Sequence, residues 1–275
     1  MHTSGRVSLE DVLRLLDART GSRAEVRPAR PGLLRLCAHV PGASGITGLR
    51  VLLVTDLLAR VAELGNLQAL AVLVTDGEFP GHVSAVEHAA RSLGIHPAAG
   101  PASPGDAQAL LGGPVDVHIV SCGTGADDGQ SGVVTCVGDA HMPGTAAHGE
   151  QAADPVAGNE HDPLAVRLAL MSFPSHQPAD LTDSVLAGAR ETVSLWRRRV
   201  AQWAESPSRP IPAHLAEAAR AAFGELDIPS AIALLHALAQ DDSVPAGAKF
   251  ETFLYVDRVL GLDLPRDIGR LVPAT

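Results

Sequence analysis

The sequence predicts an α/β protein in which a parallel sheet covered by helices is followed by a region made only of helices. Before residue 95, strand and helix patterns alternate along the chain, which is typical of parallel sheets. After Pro163 only helical patterns occur, each opened or closed by Pro, Asp or Gly. We therefore expect one domain over residues 1–160 and a helical domain over residues 161–275.

Apolar spacing and small-residue loops predict the elements of the first domain. Residues 8–11 have the form of a helix N-cap, and the leucines after them predict a helix through Leu16. Residues 33–40 form an apolar strand that ends in a small-residue loop at residues 41–48. A helix at residues 49–64, a strand at 67–74 and a helix at 80–93 follow.

The middle of the chain is predicted to hold two short strands between loops. Residues 97–105 are rich in Pro, Ala and Gly and are expected to form a loop. Residues 115–122 and 133–137 have strand patterns, and residues 143–162 have the composition of a flexible connection. The helices expected after it span residues 164–172, 181–204, 212–223, 229–239 and 245–260.

The composition argues against nucleic-acid binding proteins of the non-specific kind and against membrane-spanning proteins. The net charge of −10 opposes non-specific binding to nucleic acid or to an anionic membrane. No apolar run approaches the roughly 20 residues that a membrane-spanning helix needs. Three widely spaced cysteines fit a reducing compartment and three packed thiols better than a disulfide framework. We expect a cytoplasmic protein.

Of the 21 basic residues, 20 are Arg, and Lys249 is the single Lys. A lysine ammonium is a compact, mobile ligand for phosphates, and Arg does not replace it freely at such sites. A phosphate-binding loop of the form G-x-x-x-x-G-K-[ST] is therefore excluded.

Three segments of the second half occur in the order found in cysteinyl-tRNA synthetases. D-P-L-A-V-R-L at 162–168 resembles the family's D-P-E-A-L-R-L, and L-T-D-S-V-L at 181–186 resembles F-S-D-E-A-L. F-G-E-L-D-I-P-S-A at 223–231 resembles M-D-D-D-L-N-T-P-E-A. In the first half, Cys37, the small-residue loop and Asp56-Leu57-Leu58 resemble the family's C-G-P-T-V-Y-D, H-I-G-H and F-D-V-L stretch. The resemblance implies a Rossmann-like sheet of the class I synthetase type.

Both ATP signatures of that family are missing. Gly45-Ile46-Thr47-Gly48 stands where the family has H-I-G-H, so neither imidazole is present. The K-M-S-K-S signature should precede Asp162, but that region contains His141-Met142-Pro143-Gly144-Thr145 and no Lys. Charge on the triphosphate would lack its cationic partners, so we expect no adenylate-forming catalysis.

The family's zinc site is also incomplete. The resemblance implies zinc ligands from two Cys, a His and a Glu, and Cys37 matches the first of them. His118 to Cys122 resembles the family's H-I-E-C with one extra residue, whereas the family's H-H-E has no counterpart. Cys37, His118 and Cys122 are thus the metal candidates, but we expect packed thiols and no zinc.

The loop before the long helix is the predicted ligand site. Its glycines leave backbone N–H groups accessible at a helix N-terminus, which suits an anion or an adenylate-like ligand such as ATP. The expected contacts are Gly42, Ser44, Gly45, Thr47, Gly48 and Arg50.

Three functions remain open. The first is a degenerate synthetase paralogue, a pseudoenzyme that binds a nucleotide, an amino acid, a tRNA or a protein partner. The second is an ATP-dependent ligase that joins cysteine or a related amino acid to tRNA or a small amine, as the mycothiol-pathway relative in this superfamily does. The third is a purely structural or interaction protein.

Overall fold

The computed structural model describes residues 13–40, 45–75, 80–123, 131–143 and 162–270. The predicted helix cap at residues 8–11, most of the turn-rich stretch at 123–132 and most of the connection at 143–162 lie outside these residues. The domain boundary expected near residue 160 also lies outside them, and it stays a prediction.

The chain begins, in its described part, with an antiparallel hairpin of β1 (Arg14–Asp17) and β2 (Ser22–Glu25). The predicted helix through Leu16 is therefore wrong at residues 14–16. Leu13 and Leu15 are buried on either side of the exposed Arg14, which is the alternation of a strand and not the spacing of a helix. The backbone N–H of Ala18 donates to Val134, which joins the end of the hairpin to the main sheet.

The main sheet has five parallel strands. They are β3 (Leu33–His39), β4 (Gln68–Val74), β5 (Ala99–Ala102), β6 (Val117–Ser121) and β7 (Val133–Val137). Their spatial order is β5-β4-β3-β6-β7, with every neighbouring pair parallel, and this confirms the predicted Rossmann-like α/β fold. From β3 the chain adds β4 and then β5 on one side, and it then crosses to the other side of β3 to add β6 and β7. The topological switch point therefore lies between β3 and β6.

Strand β5 corrects the loop expected at residues 97–105. It is a short edge strand of Ala, Gly and Pro, residues with low strand propensity, so the sequence did not indicate a strand. An edge position tolerates Pro101 because the missing N–H can face away from the ladder.

Three helices accompany the sheet: α1 (Gly45–Leu64), α2 (Pro80–Ser92) and α3 (Ala107–Leu111). Helix α1 begins four residues earlier than expected and is buried on almost every side. A helix that is apolar around its whole circumference must be covered all round. The sheet covers one side of α1, and helix α8 (Ala246–Leu260) packs against it as well.

The predicted helical region is confirmed, with ends fixed by local capping. Asp162 accepts a hydrogen bond from the N–H of Leu164, and Thr182 and Asp227 cap two later helices in the same way. Gly261 ends α8 in the left-handed conformation that favours glycine. The remaining helices are α4 (Pro163–Met171), α5 (Asp183–Trp203), α6 (Ala213–Gly224) and α7 (Ile228–Gln240).

A small parallel pairing ties the sheet to this helical region. It joins β8 (Ala140–His141), just after β7, to β9 (Ala179–Asp180), between α4 and α5. One continuous apolar core extends from the sheet into the helices. Within the described parts of the chain, no helix combines the length and the apolar character needed to cross a membrane.

A buried ion pair also joins the two regions. The Arg167 guanidinium on α4 lies 2.6 Å from the Asp56 carboxylate on α1, and both side chains have no solvent exposure. Arg167 also donates to the carbonyls of Leu260, at 2.6 Å, and Leu93, at 3.1 Å. One side chain thus contacts α1, the end of α2 and the end of α8.

Replacing Arg167 with alanine should destabilise the protein by about 3–5 kcal/mol, because the buried Asp56 would lose a partner and two carbonyls would lose their donor. Urea unfolding followed by circular dichroism measures this loss. The matched control is Arg198→Ala on the exposed face of α5, expected to change stability by less than about 0.5 kcal/mol. Equal effects of the two substitutions would contradict the assigned role of the ion pair.

Candidate functional site

The carboxyl ends of β3 and β6 meet at the switch point, where open α/β sheets collect their ligands. Strand β3 ends at His39, and α1 begins at Gly45. The end of β3 and the start of α1 therefore flank the position where the sequence predicted a ligand site.

The predicted loop contacts are only partly described. Gly42 and Ser44 lie outside the described residues. Gly45 has φ +45° and open space where a Cβ would be, so its conformation and not crowding favours glycine there. Gly48 is buried within α1.

Thr47 and Arg50 hold the start of α1 to the chain after β7. The Thr47 hydroxyl accepts from the Ala140 N–H at 3.0 Å and lies 3.4 Å from the Ala140 carbonyl. The buried Arg50 guanidinium donates to the carbonyls of Gly138, at 2.9 Å, Gln177, at 2.5 Å, and Pro174, at 2.9 Å. Burial lowers the Arg50 pKa to about 10, although the charge of Asp139 opposes this. Arg50 is thus occupied by backbone oxygens, and any anion at the loop would depend on the helix backbone.

Three metal-binding side chains meet on one face of the sheet beside this loop. Cys37 and His39 are two residues apart on β3 and so point to the same face. Cys37 is the register partner of His118 on β6. The Cys37 sulfur and one nitrogen from each imidazole all lie within 4.8 Å of one another. We refer to Cys37, His39 and His118 as the switch-point cluster.

The two imidazoles contact each other directly. His39 Nε2 and His118 Nδ1 share a hydrogen bond of 3.0 Å, and the ring centroids are 5.3 Å apart. Cys37 is fully buried, His118 is buried, and His39 is half-buried at the edge of the sheet. His39 is therefore the most solvent-accessible member of the cluster.

Burial is the main cause of the pKa shifts of Cys37 and His118. It raises the pKa of the Cys37 thiol to about 12. It also lowers the pKa of His118 to about 4; the charges of His39 and Arg19 act in the same direction, and a hydrogen bond to the Ser131 backbone opposes them. Near neutral pH the cluster consequently holds a thiol and a neutral His118 imidazole with a lone pair to offer.

Cys122 does not join the cluster. It is bonded to Cys136 on β7, with a Cα–Cα distance of 4.8 Å, so the expectation of three separate thiols is wrong for this pair. Val120 and Cys136 are register partners, and Cys122 follows two residues after Val120. The parallel register brings the two sulfurs together, whereas their separation of 14 residues in the sequence does not reveal the pairing. Cys37 is a free buried cysteine, as expected.

His39 is the site residue that the sequence argument missed. Its signal is the C-x-H spacing at the end of a buried strand, which places both side chains on one face. His118 could be matched to them only once β6 was known to be the neighbour of β3 and not of β4 or β5. That neighbour relation belongs to the topology and is not visible in a local pattern.

The comparison with known proteins now adds to this geometry. The chain is similar to a cysteine ligase. It is 35% identical over 113 residues to the L-cysteine:1D-myo-inositol 2-amino-2-deoxy-alpha-D-glucopyranoside ligase of Geodermatophilus obscurus, a match covering 39% of this chain. The match spans only 26% of that relative. No family model matches the chain. The similarity supports the synthetase-like superfamily that the sequence motifs indicated.

The cysteine assignments predict a specific thiol count. Without reductant, the folded protein should show no thiol reactive toward a disulfide reagent at pH 8, because a pKa of about 12 leaves about one Cys37 in ten thousand ionised. Unfolding in guanidinium chloride should expose one thiol per chain, and Cys37→Ser should remove it. Three reactive thiols in the unfolded, unreduced chain would show that Cys122 and Cys136 are not bonded.

Proposed function

We propose that this chain is a synthetase-like protein that has lost amino-acid activation and acts by binding a small ligand at the switch point. The observation that carries the proposal is the missing cationic clamp for a triphosphate. Residues 1–248 contain no Lys. Lys249 itself is 5% exposed on α8, with its ammonium 5.4 Å from the centre of the Trp203 ring.

The contacts of Thr47 and Arg50 support a small, weakly held ligand. Thr47 and Arg50 bind backbone groups of the protein, so the first-turn N–H groups of α1 carry the attraction for an anion. Such an arrangement suits a small anion or an adenylate-like ligand held weakly. The proposal keeps a cytoplasmic location, although the Cys122–Cys136 bond removes the support that free thiols gave it. It leaves a tRNA or a protein as the larger partner, and the net charge of −10 means that a tRNA would have to be bound specifically.

The partial similarity to a cysteine ligase keeps catalysis as the alternative. An active ligase would need other groups to stabilise the charge that develops on the triphosphate. Among the described residues, Arg50 is the cation nearest in sequence to the helix start, and its guanidinium is already engaged by carbonyls.

Cysteine-dependent exchange of pyrophosphate into ATP should be undetectable for the purified chain. Each missing phosphate-stabilising group commonly lowers the rate about 10²-fold or more, and here several are missing together. An active cysteinyl-tRNA synthetase in the same buffer serves as the positive control. Exchange above background that requires cysteine would favour the ligase alternative.

ATP or a cysteinyl-adenylate analogue should bind with a Kd of about 0.1–1 mM, equivalent to roughly 4–6 kcal/mol. Gly45→Val should abolish this binding, because a β-branched residue is strained at φ +45° and would alter the first turn of α1.

The matched control for this titration is Gly21→Val. Gly21 also has a positive φ, +65°, with open space around it, but it lies in the β1–β2 turn. Calorimetric titration of both variants separates loss of the site from general strain. Binding that survives in Gly45→Val would place the ligand elsewhere, and no thermal shift with ATP, cysteine or the analogue would favour a purely structural protein.

A further inference from the structure

We propose that the switch-point cluster of Cys37, His39 and His118 is a zinc site that leaves one coordination position open. The three donor atoms come from two neighbouring strands at the point in the fold where ligands collect. The proposal does not depend on the ligand proposed for the β3–α1 loop, because it concerns side chains and not the helix backbone.

The distances between the donor atoms are close to those of a tetrahedral zinc site. Zn–N bonds of about 2.0–2.1 Å and Zn–S bonds of about 2.3 Å place tetrahedral ligand atoms about 3.3–3.7 Å apart. The cluster's donor atoms lie within 4.8 Å of one another, with the two nitrogens 3.0 Å apart. Small side-chain rotations would therefore replace the hydrogen bond between the imidazoles by two bonds to a metal.

The ligands are held by rigid parts of the protein. Cys37 and His39 belong to a central strand paired on both sides, and His118 belongs to the neighbouring strand. The Ser131 backbone accepts a hydrogen bond from the His118 imidazole, and hydrogen bonds of this kind orient metal-binding imidazoles. The nearby Arg19 is paired with Asp17 at 2.9 Å, which offsets the repulsion that its positive charge would exert on a cation.

The donor set selects the class of metal. One thiolate and two imidazoles suit zinc and other borderline transition metals, whereas Mg²⁺ and Ca²⁺ prefer oxygen ligands. Binding converts the Cys37 thiol to a thiolate, and its proton leaves to solvent. Among the described residues the cluster has three members, and three protein ligands leave a fourth position for water or another ligand, as in catalytic zinc sites.

This ligand set differs from the one that the family resemblance implies. Cys37 and His118 were both candidates on the family resemblance, but Cys122 is bonded to Cys136, the family's H-H-E has no counterpart here, and His39 is added by the structure. For that reason the sequence alone predicts no zinc. His39 changes this conclusion, because it supplies a donor that the family pattern does not contain.

The test uses the full chain after removal of metal with a chelator. Titration against a chromophoric zinc chelator should show one Zn²⁺ bound per chain with sub-micromolar Kd. Co²⁺ should give visible bands of a tetrahedral site together with near-ultraviolet thiolate-to-cobalt charge transfer. The Co²⁺ spectrum of the unsubstituted protein shows by itself whether a tetrahedral site with a thiolate ligand forms, even if a variant fails to fold.

Three variants assign the ligands. His39→Gln and His118→Gln should each weaken zinc binding by at least about 100-fold, and Cys37→Ser should also remove the charge-transfer band. His214→Gln, an exposed histidine on α6, should leave binding unchanged. Absence of zinc binding at micromolar concentration, or binding that is equal in all four variants, would overturn the proposal and leave the imidazoles as a structural hydrogen-bonded pair.

Discussion

The ion pair between Asp56 and Arg167 is the interaction on which the arrangement of sheet and helices depends. Burial alone would raise the pKa of Asp56, but the positive charges of Arg167 and Arg60 outweigh it and lower that pKa. Each group is therefore tolerable in the interior only while the other is present. Apolar contacts hold two helices together but allow them to slide along each other. A buried ion pair allows few such positions, because the two charges must remain in contact. The pair consequently sets how α4 and α8 lie against α1, the helix that leads directly from the candidate site.

Arg50 performs a corresponding task nearer the N-terminus of α1. Its guanidinium collects carbonyls from Gly138 after β7 and from Gln177 and Pro174 after α4. With Arg167, it fixes α1 at two points to parts of the chain distant in sequence. The sequence offered Arg50 as a cation for a ligand because it lies near a glycine loop, but both terminal nitrogens of its guanidinium donate to backbone carbonyls of the protein. The Arg50 guanidinium could either stabilise the fold or bind a ligand, and it is already hydrogen-bonded to backbone carbonyls.

Features set by local interactions could be predicted from the sequence, whereas features set by contacts between distant segments could not. The strand at residues 33–39 and the capped helices after Asp162 were predictable, because continuous apolar runs and capping residues act locally. Strand β1 was not, since four residues with two leucines fit a helix or a strand equally until Ser22–Glu25 pairs with them. The Cys122–Cys136 bond and the meeting of His39 with His118 were not predictable either. Both follow from which strands are neighbours in the sheet.

The same distinction separates the stretches that resemble the synthetase signatures from the strand ends. Residues 45–48, which stand where the synthetases have H-I-G-H, form the first turn of α1, and neither they nor residues 141–145 include a Lys. The meeting of the β3 and β6 ends arises instead from the order of the strands in the sheet. Side chains at the ends of those strands, such as His39 and His118, are held by the ladder itself. Residues 45–48 and 141–145 offer no lysine to a triphosphate, while the strand ends bring a thiol and two imidazoles together. Selection for a new ligand at this position would thus act on donors that the fold already orients.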